Sequence, residues 1–488
     1  MKKMDASSYP QVHRPLRVMQ YGEGNFLRAF VDYMLDIANE KGDFNGDIML
    51  VKPISFGNAE TFEKQDGRYT VLLRGLKDGQ RVEESRVITS VRGCLDTYTE
   101  YERYAALAKE ASLRFVVSNT TEAGIVLDES DDFALCPPRT FPGKLCKFLF
   151  ERAEHFGYAM DKGLIMLPVE LIDDNGVMLK RCVLRLAEIW GLGERFMKWL
   201  NEACVFTSTL VDRIVTGYPK DEAPAIWEKL GYEDRLLVTA EPFALWVIEA
   251  DKDISGELPL HKSGLPVIFT DNQKPYKQRK VRILNGAHTS FVPMAFLMGH
   301  DDVLGAMGDK VVRGFMEHTI HDEVIPTLDL PKADLESFAE AVTQRFNNPY
   351  IHHRLLSICL NSVSKWRARC LPSLTVYLNK QGKLPEHLAF SLAALAALYR
   401  DGKLKDGALH KSRDGMAYQL QDDESVLRFF DGARGWDDKR LAHAFLERAD
   451  FFGEDLSRVP SLAETVENAL RDIREKGMRA AVEERFGG

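Results

Sequence analysis

The chain has 488 residues, 45% of them hydrophobic and 28% charged, with a net charge of −9. That length exceeds one ordinary hydrophobic core and points to two large domains, and no apolar run reaches the roughly 18 residues that would cross a bilayer. The acidic balance disfavours the clustered basic surface that nucleic-acid phosphates require, so neither a membrane nor a nucleic acid is an expected partner.

The opening MKKMDASSYPQVHRPLRV lacks the apolar stretch of an export signal, and the expectation is a cytoplasmic protein. Seven scattered cysteines without a C-x-x-C pair read as reduced, mostly buried thiols, not as a zinc ribbon or a disulfide framework.

The first predicted strand, Arg17 to Tyr21, runs into Gly22-Glu23-Gly24-Asn25 and then a helical pattern from Phe26 to about Asn39. Strand, glycine turn and helix are how a dinucleotide-binding unit opens, because glycine lets the backbone approach a pyrophosphate and the helix N-terminus offers it unpaired N–H groups. Gly22, Gly24, Asn25, Phe26 and Arg28 are the candidate cofactor-binding residues. The full fingerprint wants a small residue at position 27, where this chain has Leu27, so an ordinary strand-helix turn stays open as the alternative.

The next strand, Asp47 to Val51, ends in Lys52-Pro53 where an NAD-binding fold usually places an acid for the adenosine ribose. Another group holds the ribose, or Lys52 meets the 2′-phosphate of NADP, or Lys52 is a solvated strand end. A strand from Leu113 to Ser118 enters the polar loop Asn119-Thr120-Thr121-Glu122, which adds four cofactor candidates where an open α/β sheet builds its site. Lys162 to Val169 is a further strand, and Asn175 in the following loop either shapes an Asn-Gly turn or serves the chemistry. Asp212 and Arg213 sit between apolar residues and read as a substrate contact or a buried structural pair.

After Asp271 the patterns become helical, as in Leu388 to Tyr399 and Val459 to Val482. The fold class is therefore an α/β N-terminal Rossmann-like dinucleotide-binding domain, 14–276, and a mostly α-helical C-terminal substrate-binding domain, 277–488. Lys365 and Arg369, four apart on one helix face, form a docking point for an anion or a solvated surface. On a regular helix Asn285 lies roughly 140° and His288 roughly 80° around from Lys280, so the three share one side and either line a pocket or face water.

Together these segments resemble the polyol-specific long-chain dehydrogenases, the mannitol dehydrogenase family, over nearly the whole chain. Lys280, Asn285 and His288 match its K-x4-N-x2-H signature, and YGEGNFLRAFVDYML, FVVSNTTEAGI, TLVDRIVTGYP, KPYKQRKVRILNGAHT and RFNNPYI carry the likeness further. The resemblance implies NADH-dependent reduction of the keto group of a sugar acid, D-tagaturonate, to D-altronate, without a catalytic metal. D-Fructuronate is the rival substrate, and a non-catalytic dinucleotide sensor the remote alternative. It implies Lys280 as general acid and base, Asn285 as the group polarising the carbonyl and His288 as the group orienting hydroxyls. Asp212 and Lys365 are implied as substrate contacts, with Arg367 or Arg369 assisting at the carboxylate. The family includes monomers and assemblies.

Three departures accompany it. Glu170-Leu171 stand where mannitol-oxidising relatives carry an asparagine, for which Asn175 is a candidate substitute. Ser357 stands in place of an arginine, and Lys277 in place of a glutamate on a proposed proton path.

Overall fold

The apolar run Leu16–Tyr21 forms the first strand of the main sheet (β1), buried on both faces as expected of a parallel strand covered by helices. In this computed structural model every residue is described except Met1, Asp5, Ala6, Ser8, Gln11, Ser55, Phe56, Asn58, Asp78, Thr121, Glu122 and Gly488. The chain divides into two units, Met1–Gln273 and Lys274–Gly488.

In the first unit β1 pairs with β2 (Asp47–Lys52), β3 (Val91–Asp96), β4 (Phe115–Ser118), β5 (Ile165–Pro168) and β6 (Val205–Phe206) in one parallel sheet, ordered β3-β2-β1-β4-β5-β6. This is the doubly wound order whose reversal point, between β1 and β4, opens a crevice at the carboxyl ends of the strands. Alternation along β1 sends Val18 into one core with Phe30, Phe115 and Trp246, and Met19 and Tyr21 into the other with Phe141, Leu145 and Leu149.

Three smaller sheets complete this unit, one of them the parallel pair Lys2–Lys3 and Tyr232–Glu233. The hairpin Tyr69–Lys77 and Gln80–Ile88 joins Val238–Ala240 and Val215–Gly217, while Ser208–Asp212, Leu245–Glu249 and Val267–Thr270 form a three-stranded sheet.

The helix following β1 is not regular. Asn25–Leu27 passes into a π-helical turn, Arg28–Asp32, before Tyr33–Glu40 resumes the α-helix. A π turn disturbs the carbonyl ladder, and Arg213 answers it: its guanidinium donates to the Ala29 carbonyl at 2.6 Å and to the carbonyls of Glu241 and Pro242. Arg213 is thus spent on backbone, and the expected structural pairing with Asp212 is not how it is held.

The second unit is mostly helical around Glu386–Tyr399, a helix buried nearly all round, against which Gly286–Leu297 and Leu462–Lys476 pack. Gly477, at φ +83°, breaks the single helix expected from Val459 to Val482 into Leu462–Lys476 and Met478–Phe486. A three-stranded antiparallel sheet, Lys403–Lys405, Ala408–Arg413 and Met416–Leu420, is also inserted among the helices. Among the described residues no helix is long and apolar enough to cross a membrane.

Candidate functional site

The turn after β1 lies at the reversal point. Gly22 adopts φ +121°, and a Cβ there would stand 3.0 Å from Leu27 Cδ1 and 3.3 Å from the Asn119 carbonyl oxygen, so conformation and space both require glycine. Leu27 thereby fills, from the core, the space beneath the turn.

Gly24 is different. It is exposed, has ordinary extended geometry, and a Cβ added to it would meet nothing within 4 Å. No protein atom demands a glycine there, and Gly24 caps the helix without a side-chain hydrogen bond, leaving the first N–H groups for an anion. This open cradle fits the pyrophosphate of a dinucleotide.

Asn25 is exposed beside the cradle, and Phe26 stacks on Phe30 at 5.0 Å. Arg28 turns inward: it is buried, donates to Asn25 Oδ1 at 2.5 Å and to the Leu236 carbonyl, and lies over the Tyr69 ring. The arginine therefore orients Asn25 from below.

At the carboxyl end of β2, Lys52 is buried and its Nζ lies 2.6 Å from Asp96 Oδ2 at the end of β3. It is not a solvated strand end. Glu23 lies alongside, crowding Gly57 together with the Lys52 side chain, and burial pushes its carboxyl above the usual range while Lys52 and Arg28 oppose that rise. Glu23 and Asp96 were not legible as site residues; the available signal was an acid closing β3, next door to the strand expected to supply one.

At the end of β4, the Asn119 amide donates to the Tyr21 carbonyl, and Thr120 donates through both its amide and its hydroxyl to Glu170 Oε1, at 3.0 and 2.9 Å. Glu170 also accepts from Ser118 Oγ at 3.1 Å, so this buried carboxylate sets the loop that faces the crevice. Thr121 and Glu122 lie outside the described residues.

Asn175 requires a correction. Its amide nitrogen donates to the carbonyls of Pro168, Glu170 and Thr209 at 3.0–3.2 Å, and its Oδ1 accepts from the amides of Gly176 and Thr209, both at 2.9 Å. Fully buried and with its polar atoms committed to backbone, it staples β5 to the strand Ser208–Asp212 and has nothing left to offer a substrate. Asp212 ends that strand, buried and paired in register with Leu245.

In the second unit Lys280–Asn285 is itself a π-helical turn between Lys274–Arg279 and Gly286–Leu297, and the Gly286 amide bonds the Val281 carbonyl five residues back. Residues five apart stand one above the other in such a turn, so Lys280 and Asn285 line up more closely than the regular-helix angles allow. Both are half-buried.

His288 follows one turn later. Its ring stacks on Phe346 at 4.1 Å and meets His353 edge to face at 5.3 Å, and its buried Nε2 finds no hydrogen-bond partner among the described residues. Burial, then the charges of His353, Arg345, Arg369 and Lys365, hold it well below the ordinary imidazole range, so the ring is neutral at pH 7.

The basic helix Ser362–Arg369 packs against this segment: the Cys370 thiol donates to the Gly286 carbonyl, and Arg369 Nη1 donates to Thr289 Oγ1 at 3.3 Å. Lys365 Nζ donates to the Ile358 carbonyl at 3.0 Å. Arg367 is exposed on another face of the helix, its guanidinium against Gly453, and does not join the group around His288. Arg345 and His353 do join it, from a segment that hydrophobic periodicity left unremarked.

The Rossmann domain of mannitol dehydrogenases matches residues 16–262, and the mannitol dehydrogenase C-terminal domain matches residues 272–474. The chain belongs to the mannitol dehydrogenase family.

Relatives within it include the altronate oxidoreductase of Yersinia enterocolitica, 47% identical over 99% of both chains, and that of Escherichia coli, also 47% identical over 99% of both. Among solved structures, D-sorbitol dehydrogenase in substrate-free form shares the fold with a TM-score of 0.81, at 22% identity over 99% of this chain and 100% of that one. The ternary complex of Pseudomonas fluorescens mannitol 2-dehydrogenase with NAD and D-mannitol gives 0.67, at 24% identity over 97% and 95%. In this mannitol dehydrogenase family member the K-x4-N-x2-H residues are Lys280, Asn285 and His288, carried by the π turn and the helix after it.

Proposed function

We propose that this protein is a cytoplasmic, NAD-dependent altronate oxidoreductase, reducing the keto group of D-tagaturonate to give D-altronate and catalysing the reverse oxidation. The observation that carries the substrate class is the set of cations around His288, namely Arg345, Lys365 and Arg369. A sugar acid brings a carboxylate for them to pair. The 47% identity to altronate oxidoreductases over nearly the full chain supports the same reading.

Gly22, Gly24 and Asn25 after β1 and Asn119 and Thr120 after β4 would hold NAD, which would supply the hydride for the reduction and accept it in the oxidation. Lys280 delivers a proton to the oxygen of the carbonyl being reduced, and removes it in the oxidation. The Asn285 amide donates to that oxygen and stabilises the charge that grows on it. Neutral His288 uses its unpartnered Nε2 on a neighbouring substrate hydroxyl. Lys365 and Arg369 pair with the carboxylate, and Asp212 is retained as a substrate contact.

The test is the loss of NADH absorbance on adding D-tagaturonate, with D-fructuronate and D-fructose in parallel. Rapid oxidation with D-tagaturonate alone is expected. Preference for D-fructuronate would keep the chemistry and move the substrate; no oxidation with any of them would remove the enzymatic reading.

A further inference from the structure

Resting on the reading of the substrate as a sugar acid, we propose that His353 is a specificity residue of this enzyme, its imidazole sharing the substrate carboxylate with Lys365. Three observations place it there.

The first is how the ring is delivered. From His353 onward the backbone is stitched to one loop: the Val303 amide donates to the His353 carbonyl at 3.0 Å, the Leu355 amide donates to the Asp301 carbonyl at 2.9 Å, and Asp302 bridges to Arg354. These bonds fix the backbone that carries the ring, and packing against His288 holds the ring itself. His352, next to it, is exposed, whereas His353 is half-buried.

The second is what the ring faces. It stands edge-on at 84° to His288, a ring that also stacks on Phe346 and meets Phe291. Lys365 acts electrostatically on both imidazoles, so ammonium and rings occupy one neighbourhood.

The third is donor arithmetic. A carboxylate presents two oxygens, and a lysine is a point charge that satisfies one of them well. One donor of Lys365 is already held by the Ile358 carbonyl, and one guanidinium nitrogen of Arg369 by Thr289. A carboxylate accepts at about four lone-pair sites, so beside the bonds from Lys365 and Arg369 an imidazole N–H adds a further one. It also tells a sugar acid from a neutral ketose: a carboxylate makes that hydrogen bond charge-assisted, and a hydroxyl does not.

The experiment compares wild type, His353→Asn and His353→Gln on D-tagaturonate and on D-tagatose, the same ketose with a hydroxymethyl group in place of the carboxylate. Both variants leave the main-chain bonds in place, and NADH affinity, followed by fluorescence titration, checks that they are folded. The expected result is a KM for D-tagaturonate raised about tenfold or more with kcat within about twofold, and kcat/KM for D-tagatose unchanged. An unchanged KM for the acid, or equal losses on both sugars, overturns the assignment. Wild type that fails to reduce D-tagaturonate sinks the underlying substrate reading instead, a result visible before any variant is made.

Discussion

The ammonium of Lys52 and the carboxylate of Asp96 meet at 2.6 Å across the carboxyl ends of two neighbouring strands, β2 and β3. In a dinucleotide fold the end of β2 is where the adenosine ribose is read. A lysine there would welcome the 2′-phosphate of NADP, but here Asp96 neutralises it and Glu23 adds a further carboxyl beside it. Asp96→Ala is expected to lower the preference for NADH over NADPH, as a ratio of kcat/KM values, by about tenfold or more, because a phosphate would then find the cation without the opposing anion. A ratio that does not move would place the pair away from the ribose.

Asn175 gives the opposite kind of prediction. Asn175→Ala takes from the amides of Gly176 and Thr209 their bonds to Oδ1 and from three carbonyls their bond to the side-chain nitrogen, although Pro168 keeps the Thr209 hydroxyl and Glu170 the Ile172 amide. Each buried group left unpaired costs about 1–3 kcal/mol, so the thermal midpoint should fall by several degrees while kcat of the folded fraction stays near wild type. A collapse of kcat at unchanged stability would return the residue to the chemistry.

These two residues mark what the sequence exposes and what it conceals. The β1 strand, the glycine turn and the helix behind it are encoded locally, in an apolar run and two glycines, and they read correctly. Asn175 reads as a turn residue because its partners at Pro168 and Thr209 lie 7 and 34 positions away. The hairpin strand Gln80–Ile88 is hidden in the sequence because most of it is solvent-facing and polar, without the alternation that signals a half-buried strand. The π turns escape for a related reason: a helix wheel assumes one angle per residue, and nothing local in KVRILN announces a turn closed five residues back.

His288 predicts a pH dependence. The fold holds its imidazole well below the ordinary value of 6.5, through burial and the surrounding cations. As pH falls through 6.5 the unfolded chain takes up a proton that the folded protein refuses, so stability is lost from there downward and is unaffected at higher pH. The thermal midpoint of His288→Asn should therefore fall less between pH 7.5 and 5.5 than that of wild type. Parallel declines in the two proteins would mean that the ring is protonated in the fold.

The π turn bears most directly on catalysis. In a regular helix Lys280 and Asn285 would diverge by roughly 140°, too far to serve one oxygen; the turn that bonds Gly286 to Val281 brings them into line. In the proposed reaction one would then deliver the proton while the other steadied the charge that calls for it. Lys280→Met should reduce kcat by about two to four orders of magnitude, the usual weight of a general acid. Asn285→Ala should cost about two to three orders, that of a single donor to a developing oxyanion. NADH affinity should hold in both, since the cradle after β1 is untouched. The double variant should lose less than the product of the two, because two groups that act on one oxygen are not independent. Near-normal turnover of Lys280→Met would take the proton transfer away from Lys280, and strict multiplicativity in the double variant would show that the two side chains work on different atoms.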